Sequence, residues 1–333
     1  GGVAAMTLTL EASDTLTPEA AVTSTIGVAV SKLDEWINID NLNGGLESDT
    51  FFLDFDIAGG IDAGAGADRI VLRDGVTVSG AVIGNAGDDT ITLGRVGTSA
   101  GVTLGGAGIL AGTGMDTITV NTAVTGSINA GADNDSISLG DTDASVTGTV
   151  DGFTGSDTLT GRNLATTWAI ANSGTAGVAD GSLTETTTSN LLLPNFQNVE
   201  NLVGGTAADV FIFADNATAT SIDGGLGNDR IEGDSTANTF TITGTGSGTS
   251  DLATTFTSIE SLLGRGGNDS FTFDAGSSIS GLLDGGTGTD ILTGADDGGD
   301  FFIVTGSPNA GNLFDTNDAA IPPNGTGTQR TGG

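Results

Sequence analysis

The feature that most constrains this chain is a glycine-rich stretch that ends in an aspartate and recurs ten times. The most regular copy is Asp223-Gly-Gly-Leu-Gly-Asn-Asp229, followed directly by Arg230 and Ile231. The ten terminal aspartates are Asp49, Asp68, Asp89, Asp116, Asp135, Asp157, Asp209, Asp229, Asp269 and Asp290. A short unit that recurs this often is typical of proteins built as a stack of similar coils, each packing only on its neighbours.

Alignment on this aspartate shows two positions that are apolar in every copy. Two residues after it stand Phe51, Ile70, Ile91, Ile118, Ile137, Leu159, Phe211, Ile231, Phe271 and Leu292. Seven residues before it stand Leu42, Ile61, Val82, Ile109, Ile128, Val150, Leu202, Ile222, Leu262 and Leu283. Seven copies have a glycine, which tolerates positive φ, two residues before the aspartate: Gly66, Gly87, Gly114, Gly155, Gly227, Gly267 and Gly288. After the aspartate, inward apolar residues alternate with outward residues, as in a strand. Each copy therefore predicts the end of one strand, a tight turn and the start of the next strand.

The spacing of the aspartates predicts the fold class. Most steps are 19 to 27 residues, and two steps are 52 and 40 residues. A length near 20 is too short for a βαβ unit but suits one coil of two short strands and two turns. We therefore expect an all-β fold, a parallel β-solenoid of the β-roll or β-helix type, with coils of about 20 residues. The two long steps are expected to hold coils whose turn has lost the motif.

Composition excludes several functions. The net charge is −34, from 42 acidic and 8 basic residues, so the chain should repel nucleic acid and anionic lipid surfaces. Cysteine, histidine and tyrosine are absent, which removes disulfides, thiol chemistry, histidine metal sites and most acid–base catalysis at neutral pH. No apolar run reaches the roughly 18 residues of a membrane span. We expect neither an enzyme nor membrane insertion.

The turns resemble the nonapeptide repeats of the repeats-in-toxin (RTX) family. Gly224-Gly-Leu-Gly-Asn-Asp229-Arg-Ile231-Glu232 and Gly285-Gly-Thr-Gly-Thr-Asp290-Ile-Leu292-Thr293 match the pattern Gly-Gly-x-Gly-x-Asp-x-apolar-x at every position. The resemblance implies an extracellular protein that binds several Ca²⁺ ions between stacked turns. One departure is that the motif comes once per coil rather than on both edges. That difference implies one calcium-type edge and one plain edge, or a broader β-helix.

The predicted calcium ligands are carboxylates in these turns. They comprise the ten terminal aspartates and a second group that lies six residues before the terminal aspartate: Asp62, Asp151, Asp223 and Asp284. Ca²⁺ takes six to eight oxygen ligands from carboxylates and carbonyls, and stacked strands lie about 4.8 Å apart, so neighbouring turns are expected to share an ion. The alternative for each aspartate is that it only closes an Asx turn, with no metal.

A second, longer repeat runs over the first. Trp36-Ile-Asn-Ile-Asp40, Phe196-Gln-Asn-Val-Glu200 and Phe256-Thr-Ser-Ile-Glu260 each lead through a leucine into a glycine turn. This unit resembles tandem segments of very large bacterial surface proteins and adhesins. We divide the chain into residues 1–35, an N-terminal β cap or subunit-pairing segment; residues 36–316, the solenoid; and residues 317–333, a flexible polar tail.

These observations predict an extracellular structural protein, a calcium-stabilised building block of a bacterial surface structure such as an adhesin stalk, S-layer or filament. Self-association is expected, with residues 1–35 as a candidate pairing segment. The alternative is a glycan-binding or glycan-cleaving β-helix with a surface glycan as partner. Threonine rows such as Thr90/Thr92 and Thr117/Thr119 also allow a carbohydrate- or ice-binding face, although threonine is ordinary on strands.

Overall fold

The structure is a computed structural model that describes residues 40–97, 100–140 and 143–295, with the backbone of five short flanking strands. The described residues contain no helix, and so none that could cross a membrane. The flanking strands are β1 (Thr7–Thr9), β2 (Thr15–Leu16), β3 (Val22–Thr23), β4 (Ala29–Val30) and β35 (Asn312–Phe314). The remaining parts of the predicted N-terminal segment and all of the predicted tail, residues 317–333, lie outside the described residues.

The other strands fall into two groups along the chain. The first runs β5 (Asn41–Gly45), β6 (Thr50–Leu53), β7 (Ile61–Ala65), β8 (Arg69–Leu72), β9 (Thr77–Val78), β10 (Val82–Ala86), β11 (Thr90–Leu93), β12 (Val102–Leu104), β13 (Ile109–Thr113), β14 (Thr117–Val120), β15 (Ala123–Thr125), β16 (Ile128–Ala132), β17 (Ser136–Leu139), β18 (Ser145–Val146), β19 (Thr149–Thr154) and β20 (Thr158–Thr160). The second runs β21 (Thr166–Asn172), β22 (Ala179–Glu185), β23 (Leu191–Val199), β24 (Asn201–Gly205), β25 (Val210–Phe213), β26 (Ala219–Gly225), β27 (Arg230–Glu232), β28 (Thr239–Gly244), β29 (Ser247–Ser250), β30 (Ala253–Thr257), β31 (Ser261–Leu263), β32 (Ser270–Phe273), β33 (Leu283–Asp284) and β34 (Ile291–Thr293).

The chain divides into two compact units, and the first comprises residues 1–166 and 180–203. One of its sheets contains β5-β7-β10-β13-β16-β19-β23, and a second contains β6-β8-β11-β14-β17-β20-β24. Adjacent strands in these runs pair in parallel, and each pair places equivalent residues of successive repeats opposite each other, as in Ile91↔Ile118. The prediction of an all-β fold with stacked parallel strands is confirmed. The strands β1 and β2 pair in parallel with β5 and β6 of the same chain.

The prediction of two strands per repeat is wrong for four repeats of this unit. These repeats carry a third strand, and β9, β12, β15 and β18 form a separate four-stranded sheet. Each of these short strands contributes a buried valine, for example Val102, Val124 and Val146. The extra Val-Thr segments therefore broaden these repeats beyond two strands.

The second unit comprises residues 167–179 and 204–333. One of its sheets contains the run β21-β25-β27-β31-β33, in which neighbouring strands pair in parallel. The other sheet has the order β26-β30-β29-β28-β32-β34-β35. The strands β28, β29 and β30 are antiparallel neighbours within it.

The 40-residue step, which was expected to hold coils whose turn has lost the motif, also holds an antiparallel insertion. One coil-type strand is present, because β28 pairs in parallel with β32 and sets Phe240 opposite Phe271. The chain then reverses through Gly244–Ser247, where Gly246 has a φ of +61° that favours glycine. The extra length of this step is therefore a meander on the edge of the repeat.

The two apolar columns predicted from the sequence form the core. Nine of the ten residues two positions after the aspartate are at most 2% exposed, and Leu292 in the last described repeat is half-buried. Two aromatic members stack on buried aromatic rings of the neighbouring strand, with ring centroids 5.5 Å apart for Phe211 and Trp168 and 5.1 Å for Phe271 and Phe240. Burial of each such side chain stabilises the fold by about 1.5–3 kcal/mol.

Candidate functional site: the aspartate ladder

The motif aspartates lie inside the molecule. Nine of the ten are at most 2% exposed: Asp49, Asp68, Asp89, Asp116, Asp135, Asp157, Asp209, Asp229 and Asp269. Asp290, in the last described repeat, is half-buried. Aspartate is almost never fully buried without a partner. The burial of these carboxylates must therefore be explained by the contacts that they make.

Seven of the buried carboxylates bind the preceding repeat. The backbone N–H of Asp49 donates to Asp68 Oδ1, and the same bond links 68 to 89, 89 to 116, 116 to 135 and 135 to 157, all at 2.7–2.8 Å. In the second unit Asp209 donates to Asp229 Oδ1 at 2.7 Å and Asp269 to Asp290 Oδ1 at 3.0 Å. We call this series of N–H to carboxylate bonds the aspartate ladder. Bonds of this kind to a charged acceptor are stronger than neutral ones.

Two glutamates continue the ladder where the next repeat has no motif aspartate. The N–H of Asp157 donates to Glu200 Oε2 and that of Asp229 to Glu260 Oε2, both at 2.7 Å. These are the acidic residues of the long repeat, whose role the sequence did not reveal. The sequence feature that marks these two glutamates is an acidic residue four positions after an aromatic residue, in Phe196–Glu200 and Phe256–Glu260. An asparagine, Asn238, also occupies a ladder position, because its buried N–H donates to Asp269 Oδ1 at 2.7 Å.

A second set of bonds joins the same turns in the opposite direction. The residue just before the motif aspartate accepts the N–H of its equivalent in the following repeat. The acceptors are Ser48 Oγ at 3.1 Å and Asp88, Asn134 and Asn268 Oδ1 at 2.8 Å. Where both kinds of bond occur, two hydrogen bonds of opposite direction join adjacent turns. The short polar residue at this position is a sequence signal that alignment of the copies could have shown.

The residue five positions before each motif aspartate is also part of the site, although it was not predicted from the sequence. It is glycine or alanine in all ten copies: Gly44, Ala63, Gly84, Ala111, Ala130, Gly152, Gly204, Gly224, Gly264 and Gly285. A Cβ placed on Gly84 would lie 2.3 Å from Asp89 Oδ2 and 2.3 Å from the carbonyl oxygen of Ala111. The second carboxylate oxygen therefore lies against the backbone of its own turn, close to a carbonyl of the following repeat.

Among the residues that the structure describes, this second oxygen finds no hydrogen-bond partner in seven of the buried aspartates. These are Asp68, Asp89, Asp116, Asp135, Asp157, Asp229 and Asp269, each with Oδ2 buried. A buried acceptor without a donor costs about 1–3 kcal/mol, and more when it carries charge. The ladder thus places a series of negative oxygens, out of contact with water, on the same edge of successive repeats. Such an arrangement calls for a proton or a cation.

Burial raises the pKa of the same seven carboxyl groups. Desolvation is the largest cause, the accepted N–H bond lowers the pKa, and neighbouring carboxylates raise it further. The pKa of Asp116, Asp157 and Asp229 rises to about 7. That of Asp68, Asp89, Asp135 and Asp269 rises to about 6. Desolvation also raises the pKa of Glu200. Protons are thus held in the ladder close to neutral pH.

The second group of predicted ligands lies closer to the surface, and three of its four members close turns. Asp151, Asp223 and Asp284 each accept the N–H two residues ahead, at 3.0–3.1 Å, which is the Asx-turn geometry. Asp151 also accepts the side-chain amides of Gln197 at 2.8 Å and Asn198 at 2.7 Å. Asp62 accepts the side-chain amide of Asn85. Asp151, Asp223 and Asp284 thus close Asx turns, and calcium binding by the four residues of this group stays a prediction.

The donor set for calcium is incomplete as far as side chains are concerned. Within residues 40–97, 100–140 and 143–295, no group of three or more acidic side chains is close enough to hold a metal ion. The available oxygens are one Oδ2 per turn and the backbone carbonyls beside it, which are the right chemistry for Ca²⁺ but are few per site. Calcium binding by the predicted residues therefore stays a prediction.

Comparison with known proteins adds no assignment. The sequence matches no model of a known protein family, and no curated protein is significantly similar to it. The resemblance of the turns to RTX repeats remains a resemblance of motif.

Proposed function

We propose that this chain is a β-solenoid that serves as an extracellular structural building block of a bacterial cell-surface structure, such as an adhesin stalk, an S-layer or a filament. The observation that carries the proposal is the ladder. The same carboxylate-to-amide bond joins one repeat to the next at nearly every motif turn of both units. Bonds that recur in this way suit a long and rigid structure, because each repeat contacts only its neighbours and is held in place by them.

The same contacts argue against a catalytic role, which we do not propose. A glycan-cleaving site needs a pair of carboxylates free to act as acid and base or nucleophile. The buried aspartates here each bind a backbone N–H, and Asp151, Asp223 and Asp284 close turns. Several basic residues are paired along the surface, as Arg230 and Arg265 are with Glu232, at 2.6 and 3.7 Å. A structural role accounts for these side chains without further assumptions.

Calcium is the cation that we propose for the ladder at neutral pH. Each ion would take one ladder carboxylate, for instance that of Asp89 or Asp116, and backbone carbonyls of the adjoining turns. Its contribution would be positive charge beside oxygens that have no donor, such as Asp89 Oδ2 and Asp116 Oδ2. Binding requires deprotonated carboxylates, so it should be strongest above the pKa values of the ladder.

Thermal unfolding in calcium and in a chelator tests this part of the proposal. At about pH 8, where the ladder carboxylates are charged, millimolar calcium should raise the melting temperature well above that in chelator, because ligands that bind only the folded state stabilise it. Magnesium at the same ionic strength is the control for screening of the net charge of −34. Equal melting temperatures in calcium and chelator would remove calcium from the proposal and leave the ladder as a hydrogen-bonded structure only.

Self-association is the second part of the proposal, and electron microscopy tests it. The purified chain should form filaments or layers in calcium, whereas a variant without residues 1–35 should not, because that segment is the proposed subunit-pairing element. Circular dichroism of the shortened variant checks that it is still folded. Dispersed single molecules for the full chain would contradict the assembly role. Equal assembly of both chains would show that the pairing surface lies elsewhere.

A further inference from the structure

One sheet face of the first unit presents two columns of hydroxyl groups. Four successive strands, β11, β14, β17 and β20, contain the sequences Thr-Ile-Thr, Thr-Ile-Thr, Ser-Ile-Ser and Thr-Leu-Thr. The central residue of each is fully buried, so the hydroxyl residues on either side point outward. They are Thr90, Thr92, Thr117, Thr119, Ser136, Ser138, Thr158 and Thr160, and we call them the hydroxyl face.

The pairing register places these residues in two straight columns. Thr90 lies opposite Thr117, which lies opposite Ser136, and the column ends at Thr158. The second column runs in the same way from Thr92 to Thr160. Neighbours in a column are therefore about 4.8 Å apart and the two columns about 6.7 Å apart. Threonine is stiff at χ1, so its hydroxyl and methyl groups repeat with the backbone.

The hydroxyl face is uncharged in a strongly acidic chain. None of its eight residues is charged, although the net charge of the protein is −34. None of the eight is fully buried, and none makes a side-chain hydrogen bond within the described part of the chain. Each hydroxyl can both donate and accept. A partner that matches this face carries no charge and offers both donors and acceptors.

We propose that the hydroxyl face binds ice. A regular array in two dimensions is matched at many points only by a partner that is itself a rigid lattice. Ice is uncharged, each of its water molecules donates and accepts hydrogen bonds, and the oxygens on a crystal face form a regular two-dimensional lattice. A single soluble glycan chain repeats in one dimension and would not match both columns at once.

Measurement of thermal hysteresis and of incorporation into a growing ice crystal tests this proposal. The full chain should separate the melting and freezing temperatures and enter the ice. A variant with Thr117→Lys and Thr119→Lys should lose most of this activity, since two long charged side chains interrupt both columns at the centre. The control carries Thr103→Lys and Thr125→Lys on the four-stranded sheet, where both residues are exposed, whereas in the face variant Thr117 is exposed and Thr119 is half-buried.

The outcomes are distinct. Activity in the control but not in the face variant, with equal circular dichroism spectra, supports the assignment. Absence of hysteresis and ice incorporation for the folded full chain overturns it, as does equal loss in both variants. Binding of the full chain to an insoluble uncharged polysaccharide, without ice activity, also overturns it. These results do not depend on calcium stabilisation or on self-association.

Discussion

In calcium-free buffer, the free energy of unfolding should rise by several kcal/mol as the pH is lowered from about 8 to about 5. Most acidic proteins without unusual groups lose stability in this direction or change little. The reason for the opposite expectation is the set of seven buried carboxyl groups whose pKa lies at about 6 or 7 in the folded chain.

The sign follows from proton binding in the two states. The unfolded carboxyl groups titrate at a pKa near 3.8, and the folded ones at higher values, so the folded state binds more protons between these pKa values. Stability from these groups is fully present below the unfolded pKa and is lost as the pH rises through about 6 to 7. Each pKa unit is worth about 1.4 kcal/mol, and interaction between neighbouring aspartates makes the total smaller than a simple sum.

Chemical denaturation at a series of pH values measures this profile, and Asp116→Asn provides the control. Asparagine keeps an oxygen that accepts the N–H of Asp89 but has no charge, so the variant should gain stability relative to the native chain at about pH 8 and show a shallower pH dependence. An unfolding free energy that falls steadily from about pH 8 to about pH 5 would contradict the raised pKa values. Calcium should reduce the difference by stabilising the charged ladder at high pH.

The replacement Gly87→Ala should destabilise the first unit by about 2–4 kcal/mol. Gly87 has a φ of +130°, where residues other than glycine are strained. A Cβ at this position would also lie 1.8 Å from the carbonyl oxygen of Gly66 in the preceding repeat. The turn cannot accept it without moving away from its neighbour, which would lengthen the ladder bond between Asp68 and Asp89. Denaturant unfolding of the variant measures the cost.

The replacement Gly75→Ala distinguishes the cost of the backbone conformation from the cost of the clash between repeats. Gly75 has a φ of +80°, and a Cβ there would meet nothing within 4 Å. This variant should therefore show only the conformational cost, about 1 kcal/mol, whereas Gly87→Ala adds the clash between repeats. Equal losses for the two variants would mean that close packing of the turns contributes nothing measurable to stability.

The sequence predicted the parts of the fold that depend on one residue at a fixed position. The two apolar columns were predicted in full, because an inward side chain in a narrow core tolerates no polar substitute. The seven glycines before the aspartates were predicted too, and every one has a φ between +109° and +155°. These features can be predicted from the periodicity of the sequence, because every repeat is subject to the same local constraint.

Features that depend on contacts between repeats were not predictable in the same way. The sequence marked the motif aspartate as an ion ligand, whereas its Oδ1 binds an N–H about one repeat away along the chain, as from Asp89 to Asp116. Glu200 and Glu260 fill the same role from a different backbone position, so alignment on the aspartate could not show it. The third strand of the broader repeats and the β28–β30 meander depend on short Val-Thr and Gly-Thr segments, which have no periodic signal of their own.

The one-way direction of the aspartate ladder bears on how such a gene can change in length. Eight of the ten motif carboxylates accept the amide of the unit before them, so a typical unit brings one acceptor and one donor. Duplication or loss of a whole unit in the DNA therefore leaves every remaining bond with a partner. Insertion of a single codon inside a glycine turn instead disturbs the bonds on both sides, so selection should favour changes in multiples of the unit.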